Sequence, residues 1–170
     1  MNGASTTRAR LETLDLDVLH WTPDLNLGIE IIDGQHRRIV EYHNRLHEAR
    51  TRGDRKVVAE VLDGLVDYTQ SHFSFEEAVM AAAGFRLAAT HRSRHEQFVH
   101  RLGEYLHRFA LGEDIAGEVQ ETVKLWLLNH IKREDREYAV SVRNNLDTAR
   151  LQQILRDDET ARAMVVQGRS

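Results

Sequence analysis

The chain has 170 residues, 41% of them hydrophobic and 29% charged, with one proline, ten glycines and no cysteine. That length suits one domain with a buried core, the scarcity of breakers favours helices, and the missing thiols exclude disulfides, thiolate metal sites and iron–sulfur clusters. A net charge of −4 with no strongly basic segment excludes an electrostatic footprint for nucleic acid.

Residues 1–16 are polar and read as a mobile N-terminal tail. Glu12 and Asp15, with Asp17 just beyond, interrupt the apolar stretch that a secretion signal needs, and no run approaches membrane-spanning length. The expectation is a cytoplasmic protein without membrane insertion. From Asp17 to Ile32 the apolar residues Trp21, Leu25, Leu27, Ile29 and Ile32 follow no helical period, which predicts an extended arm lying on the rest of the molecule. Asp33 is placed to cap a first helix whose apolar stripe, from Ile39 and Val40 to Leu46, runs to about Thr51. Arg52-Gly53-Asp54 turns the chain and offers Asp54 as the next cap. The second helix then carries Val58, Val61, Leu62, Leu65, His72, Glu76 and Met80 to a stop at Gly84.

A third helix is expected from about Leu87 to Gly112, with His91, His95, Phe98 and Leu102 on one face. A fourth follows from about Ile115 to Asn144, with Val119, Val123, Trp126, His130 and Tyr138 buried. Residues 145–170 form an amphipathic C-terminal extension with Leu151, Ile154, Leu155, Met164 and Val165 as its apolar positions. Short connections between four long helices predict an all-α, up-down-up-down antiparallel four-helix bundle over 17–144, with an N-terminal extended arm and an extra C-terminal helix.

Ten histidines are many for this length, and the bundle topology gives several of them a common place. His36 and His72 lie at similar chain distances either side of Gly53, as do His95 and His130 either side of Asp114. At ~1.5 Å rise per residue their heights in the bundle agree within about 6 Å. His72 with Glu76, and His91 with His95, are four apart and so share a helix face. With Asp135 the set is five imidazoles and two carboxylates, too many for one first-row ion and suited to two ions bridged by the carboxylates. His130 and Asp135 are five apart, so on a regular helix they diverge by about 140°. A carboxylate reaching sideways, or a local π-type irregularity, would accommodate them. Any one of these histidines on an apolar stripe is more often a hydrogen-bonded core residue. Buried carboxylates at the same level need a cation or must become neutral, and that tips the balance toward metal. His43 and His47 read as core or supporting residues, and His100 and His107 as solvent-facing.

The stretches LGIEIIDGQH (27–36), HFSFEE (72–77), the H-x-x-x-H of His91 and His95, and WLLNHIKRED (126–135) resemble the bacterial hemerythrin family over about residues 19 to 138. Phe85-Arg86 stands where that family often has an aromatic-proline pair. The resemblance implies a non-haem di-iron site with His91, His95 and His130 on one iron and His36 and His72 on the other. Glu76, Asp135 and a solvent-derived oxygen would bridge the two irons. It also implies reversible O2 binding for carriage, storage, delivery or sensing, and no enzymatic turnover. A di-iron peroxidase or oxidase on the same scaffold is the rival reading, and a sensor signalling through residues 145–170 to a protein partner, or self-association through them, is a third. The iron with two histidines has the open position, which needs a dry pocket, and Trp126, Leu128 and Ile39 are the expected wall.

Overall fold

The computed structural model describes residues 18–167, so the expected tail at 1–16 lies outside the described residues. Six α-helices carry the fold: α1 (Glu30–Arg52), α2 (Arg55–Ala82), α3 (Ala88–Ala110), α4 (Ala116–Asn129), α5 (Arg136–Asn145) and α6 (Thr148–Gln167). A π-helical turn, His130–Asp135, joins α4 to α5 and makes the two one interrupted rod. The described residues contain no strand. The rods α1, α2, α3 and α4–α5 form the four-helix bundle; α1 packs on α2 and α4, and α2 packs on α3 and α5. The sixth helix lies outside, against α2.

Several boundaries follow from single residues. Asp54 caps α2, its carboxylate accepting the Val57 N–H at 3.1 Å. Gly84, with φ at +67°, turns the chain after α2 in a conformation that side chains with a Cβ rarely adopt. Asp33 corrects the expectation of a cap. The first helix starts earlier, after Ile29, and Asp33 stands buried within its first turn. Its two carboxylate oxygens accept the N–H groups of Leu27, at 2.8 Å, and Gly28, at 3.0 Å, both upstream in the arm. An aspartate just before an apolar period resembles a cap in one dimension; here its partners lie behind it.

The interior has two regions. Toward the α1–α2 turn it is aliphatic, with Leu46, Val61, Leu65, Leu102 and Val119 almost fully buried. Each such side chain contributes about 1.5–3 kcal/mol by leaving water. Toward the opposite end, where α1 begins and α2 ends, the buried positions turn polar, and His36, His72, Glu76, His91, His95, His130 and Asp135 all sit there. His43 and His47 are also buried, but farther along α1: the His43 ring nitrogen Nδ1 meets Asn44 at 3.0 Å, and His47 meets Gln120 at 3.1 Å. His100 and His107 face solvent.

Residues 18–29 run along this polar end as the expected arm, broken by one short 3-10 turn at Pro23–Leu25. The C-terminal helix begins three residues later than expected. It buries Leu151 and Ile154, whereas Met164 and Val165 are 66% and 55% exposed. Asp158 of α6 pairs with Ser74 of α2. One and two turns earlier on α2 stand Gln70 and Asp67, polar and exposed.

Candidate metal centre

Each rod delivers one or two donors to a common point. The i, i+4 spacing on α2 turns His72 and Glu76 to one side, with His72 Nε2 at 3.6 Å from Glu76 Oε2. The same spacing on α3 brings His91 and His95 together, ring centroids 4.5 Å apart. His36 comes from the start of α1. The π turn resolves the five-residue separation of His130 and Asp135: its i→i+5 bonding brings residue 135 back over residue 130. His130 Nε2 accordingly lies 3.0 Å from Asp135 Oδ1. Of the two alternatives open from the sequence, the helix irregularity is the one found.

The donors fall into two adjoining groups that share Glu76. His91, His95, His130 and Glu76 offer one set of ligand atoms within 4.8 Å of one another, and His36, His72 and Glu76 offer another. Asp135 faces both groups: Oδ1 is 3.3 Å from His91 Nε2, and Oδ2 is 3.2 Å from His36 Nε2. Glu76 does the same, with Oε1 toward His36 at 3.7 Å and Oε2 toward His95 at 3.3 Å.

The outer ring nitrogens have their own partners. Nδ1 of His130 meets Glu134 at 2.5 Å, Nδ1 of His95 meets Glu77 at 3.2 Å, and Nδ1 of His72 meets Gln35 at 2.9 Å. An acceptor at Nδ1 holds the proton there and leaves the Nε2 lone pair pointing inward. The fully buried Tyr138 donates its hydroxyl to Glu76. Phe73 stacks flat on His95, centroids 3.7 Å apart at 3°.

Electrostatics follow from this enclosure. Burial opposes ionisation of Glu76, yet the surrounding His72, His130 and His95 hold it well below the ordinary carboxylate range. Asp135 is likewise lowered: burial and the Glu76 charge act against ionisation, and His130 and His36 outweigh them. Burial takes His72 down to about 3, partly offset by Glu76, so its ring is neutral at neutral pH. His130 moves up despite burial, because Asp135, Glu134 and Glu76 all face it. Burial, together with the Glu76 and Asp135 charges, keeps the Tyr138 phenol protonated.

Seven donors thus meet in a space closed to water, and many of their polar atoms make no hydrogen bond. Nε2 of His36, His72 and His91, Oε2 of Glu76 and both oxygens of Asp135 are in this state. A protein seldom leaves buried polar atoms unpaired, since each costs about 1–3 kcal/mol. Convergent lone pairs on nitrogen and oxygen, with two carboxylates between two histidine groups, fit a pair of divalent or trivalent cations that take imidazole and carboxylate together.

The structure brings together every residue read as a metal ligand. Of the expected wall residues, Trp126 stacks on His130, centroids 4.1 Å apart, and Ile39 is buried one turn after His36. Leu128 is only half-buried, while its neighbour Leu127 is fully enclosed. Sequence reasoning missed Gln35, Glu77, Glu134, Phe73 and, as a partner of Glu76, Tyr138. Their signal was adjacency: Gln35, Glu77, Glu134 and Phe73 each neighbour a metal-ligand candidate in sequence, and Glu134 also stands four after His130. Trp21 of the arm stacks toward His36, ring centroids 6.3 Å apart.

The fold and this centre define a helical-bundle protein built around two adjoining cation sites. The family model described as the hemerythrin HHE cation binding domain matches residues 27–140. A bacteriohemerythrin of Stenotrophomonas maltophilia is 48% identical over 130 residues, covering 76% of this chain and 85% of the relative. One from Pseudomonas aeruginosa is 45% identical over 75% of this chain and 84% of its own length. A solved wild-type hemerythrin superposes with a TM-score of 0.70 at 28% identity, covering 74% of this chain and 98% of that one. The chain belongs to the hemerythrin family.

Proposed function

We propose that the protein binds O2 reversibly at a non-haem di-iron centre, for carriage, storage, delivery or sensing. His91, His95 and His130 would hold one iron and His36 and His72 the other, with Glu76 and Asp135 reaching both. Two ferrous ions would supply the electrons for O2 capture and take them back on release. The observation that carries this reading is the convergence of unpaired Nε2 and carboxylate atoms in a sealed core.

The chain's own residues supply what such a site needs. Glu134, Glu77 and Gln35 orient three of the rings. Tyr138 steadies Glu76 by its hydroxyl. Five neutral imidazoles with only two carboxylates put little negative charge on the metals, which disfavours the high oxidation states that attack substrates. Trp126, stacked on His130, and the buried Ile39 would screen the centre and limit water, which otherwise promotes irreversible oxidation.

Two measurements test this. Metal assay of iron-supplied protein should find two irons per chain. Anaerobic reduced protein mixed with O2, then freed of the gas, should gain and lose a charge-transfer colour over many cycles. Consumption of O2 in excess of iron, with turnover, would assign the site to an oxidase or peroxidase.

A further inference from the structure

Trp126 lies between the proposed iron site and the surface. One face of its indole stacks on His130, centroids 4.1 Å apart at 19°, and the other on Phe98, 3.9 Å apart at 12°. The ring is partly exposed and borders an open hollow of about 230 Å³, whose rim includes Arg94, Arg101 and Glu134. The Glu134 carboxylate is already engaged, by His130 Nδ1 at 2.5 Å and by Arg94 at 3.2 Å. Arg101 is exposed and has no ion pair among the described residues. The rim therefore has two guanidinium groups against one committed carboxylate, on a protein whose overall charge is −4. A second hollow opens beside His95; of the residues that line it, Glu96 is exposed, Glu77 is paired with Arg92 at 2.7 Å, and none is an arginine or lysine that would draw an anion.

We propose that the Trp126 hollow is an electron port: a small anionic one-electron donor docks at Arg94 and Arg101 and passes its electron through the indole to His130 and the iron it holds. The inference rests on the di-iron reading. An O2-binding pair that has slipped to the ferric state needs two electrons, and ring-to-ring contact from solvent to a metal ligand is a short tunnelling route. Each transfer oxidises one donor by one electron and turns one ferric ion ferrous. No covalent bond forms or breaks and nothing leaves, and two transfers restore the pair that captures O2.

The docking surface is tested first without metal. In a Trp21→Phe background Trp126 is the sole indole, and its emission should be quenched more by iodide than by caesium. Arg101→Glu should cut iodide quenching about threefold at low salt. Stronger quenching by caesium, or no effect of Arg101→Glu, overturns the anion-selective surface. The electron route is then read on iron-loaded ferric protein as loss of its charge-transfer absorbance. Arg101→Glu should slow reduction by the dithionite radical anion about threefold at low salt, and should not slow the methyl viologen radical cation. Trp126→Leu should slow dithionite further at matched driving force, the midpoint potential being measured for each variant, and Trp126→Phe, which keeps a ring in the stack, should retain most of the rate. A Trp126→Leu rate equal to that of the parent overturns the route. Failure of the chain to load iron would instead refute the di-iron reading, and the quenching result would stand apart from it.

Discussion

Among the described residues two segments lie outside the four rods of the bundle, and they differ in the opposite sense to their regularity. The arm at 18–29 has almost no repeating structure, yet it is fastened from several sides. Leu27 and Gly28 are bonded to the buried Asp33, the Leu19 N–H donates to the Asn44 side-chain amide and its carbonyl accepts from it, and Asp24 pairs with Lys132 of the π turn at 2.7 Å. Arg136 and Arg143 donate to the carbonyls of Asp24 and Leu27. The sixth helix is a regular rod of 20 residues, but it sits on α2 through Leu151, Ile154 and the Ser74 contact of Asp158, with its far end bare. Regular backbone satisfies itself internally and needs few outside partners, whereas irregular backbone must find them elsewhere. The arm is consequently the more integral part, and it lies against the metal centre.

The largest change separating the two regions is expected from acid. The folded His72 is lowered from 6.5 to about 3, so between those values the unfolded chain binds more protons and stability falls as pH falls. Glu76 and Asp135, also lowered, add a loss in the same direction below the ordinary carboxylate range. His130 is raised and acts oppositely, its contribution present below 6.5 and lost as pH rises through its folded value. Bound metal needs that ring deprotonated, so protons compete with iron there as well. Iron should therefore leave as pH drops from neutral toward 3, measured as metal retained after gel filtration at stepped pH. Iron kept through acid unfolding of the bundle would contradict this.

Next in size is Asp33→Ala, which strands two arm N–H groups. It should cost about 3 kcal/mol in chemical denaturation, and a smaller loss would mean that the arm is held mainly by its leucines. Trp21→Ala should cost about 1 kcal/mol and speed the decay of the oxygenated colour, by opening the His36 side to water. The smallest effect is expected from truncation after Asp147. Apolar burial by Leu151 and Ile154 is largely offset by the entropy of ordering the helix, leaving a change of about 1 kcal/mol with iron stoichiometry unaltered. Loss of iron in the truncated chain would reverse the ranking of the two segments.

The bundle was legible in the sequence because long apolar stripes end at residues whose chemistry allows little else, such as Asp54, Gly84 and Gly112. The centre was legible because its donors are histidines and acids on those same stripes, at matching distances from the turns. What escaped depended on direction in space. Asp33 looks forward as a cap in sequence but reaches backward in the fold. Glu77 and Glu134 have no role in the sequence reading, since adjacency to a ligand does not say that a ring nitrogen faces them. Met164 and Val165 continue a periodic stripe, and periodicity describes a helix without telling whether its neighbour is apolar at that height.

The π turn at 130–135 acts as a spare residue inserted into a rod. Everything after it is phased about 100° from where an uninterrupted helix would set it. Tyr138, Ala139 and Val142 owe their inward position to that offset as much as Asp135 does. Removing one exposed residue from the turn, such as Arg133, would leave composition nearly untouched while swinging the whole C-terminal half of the rod out of register.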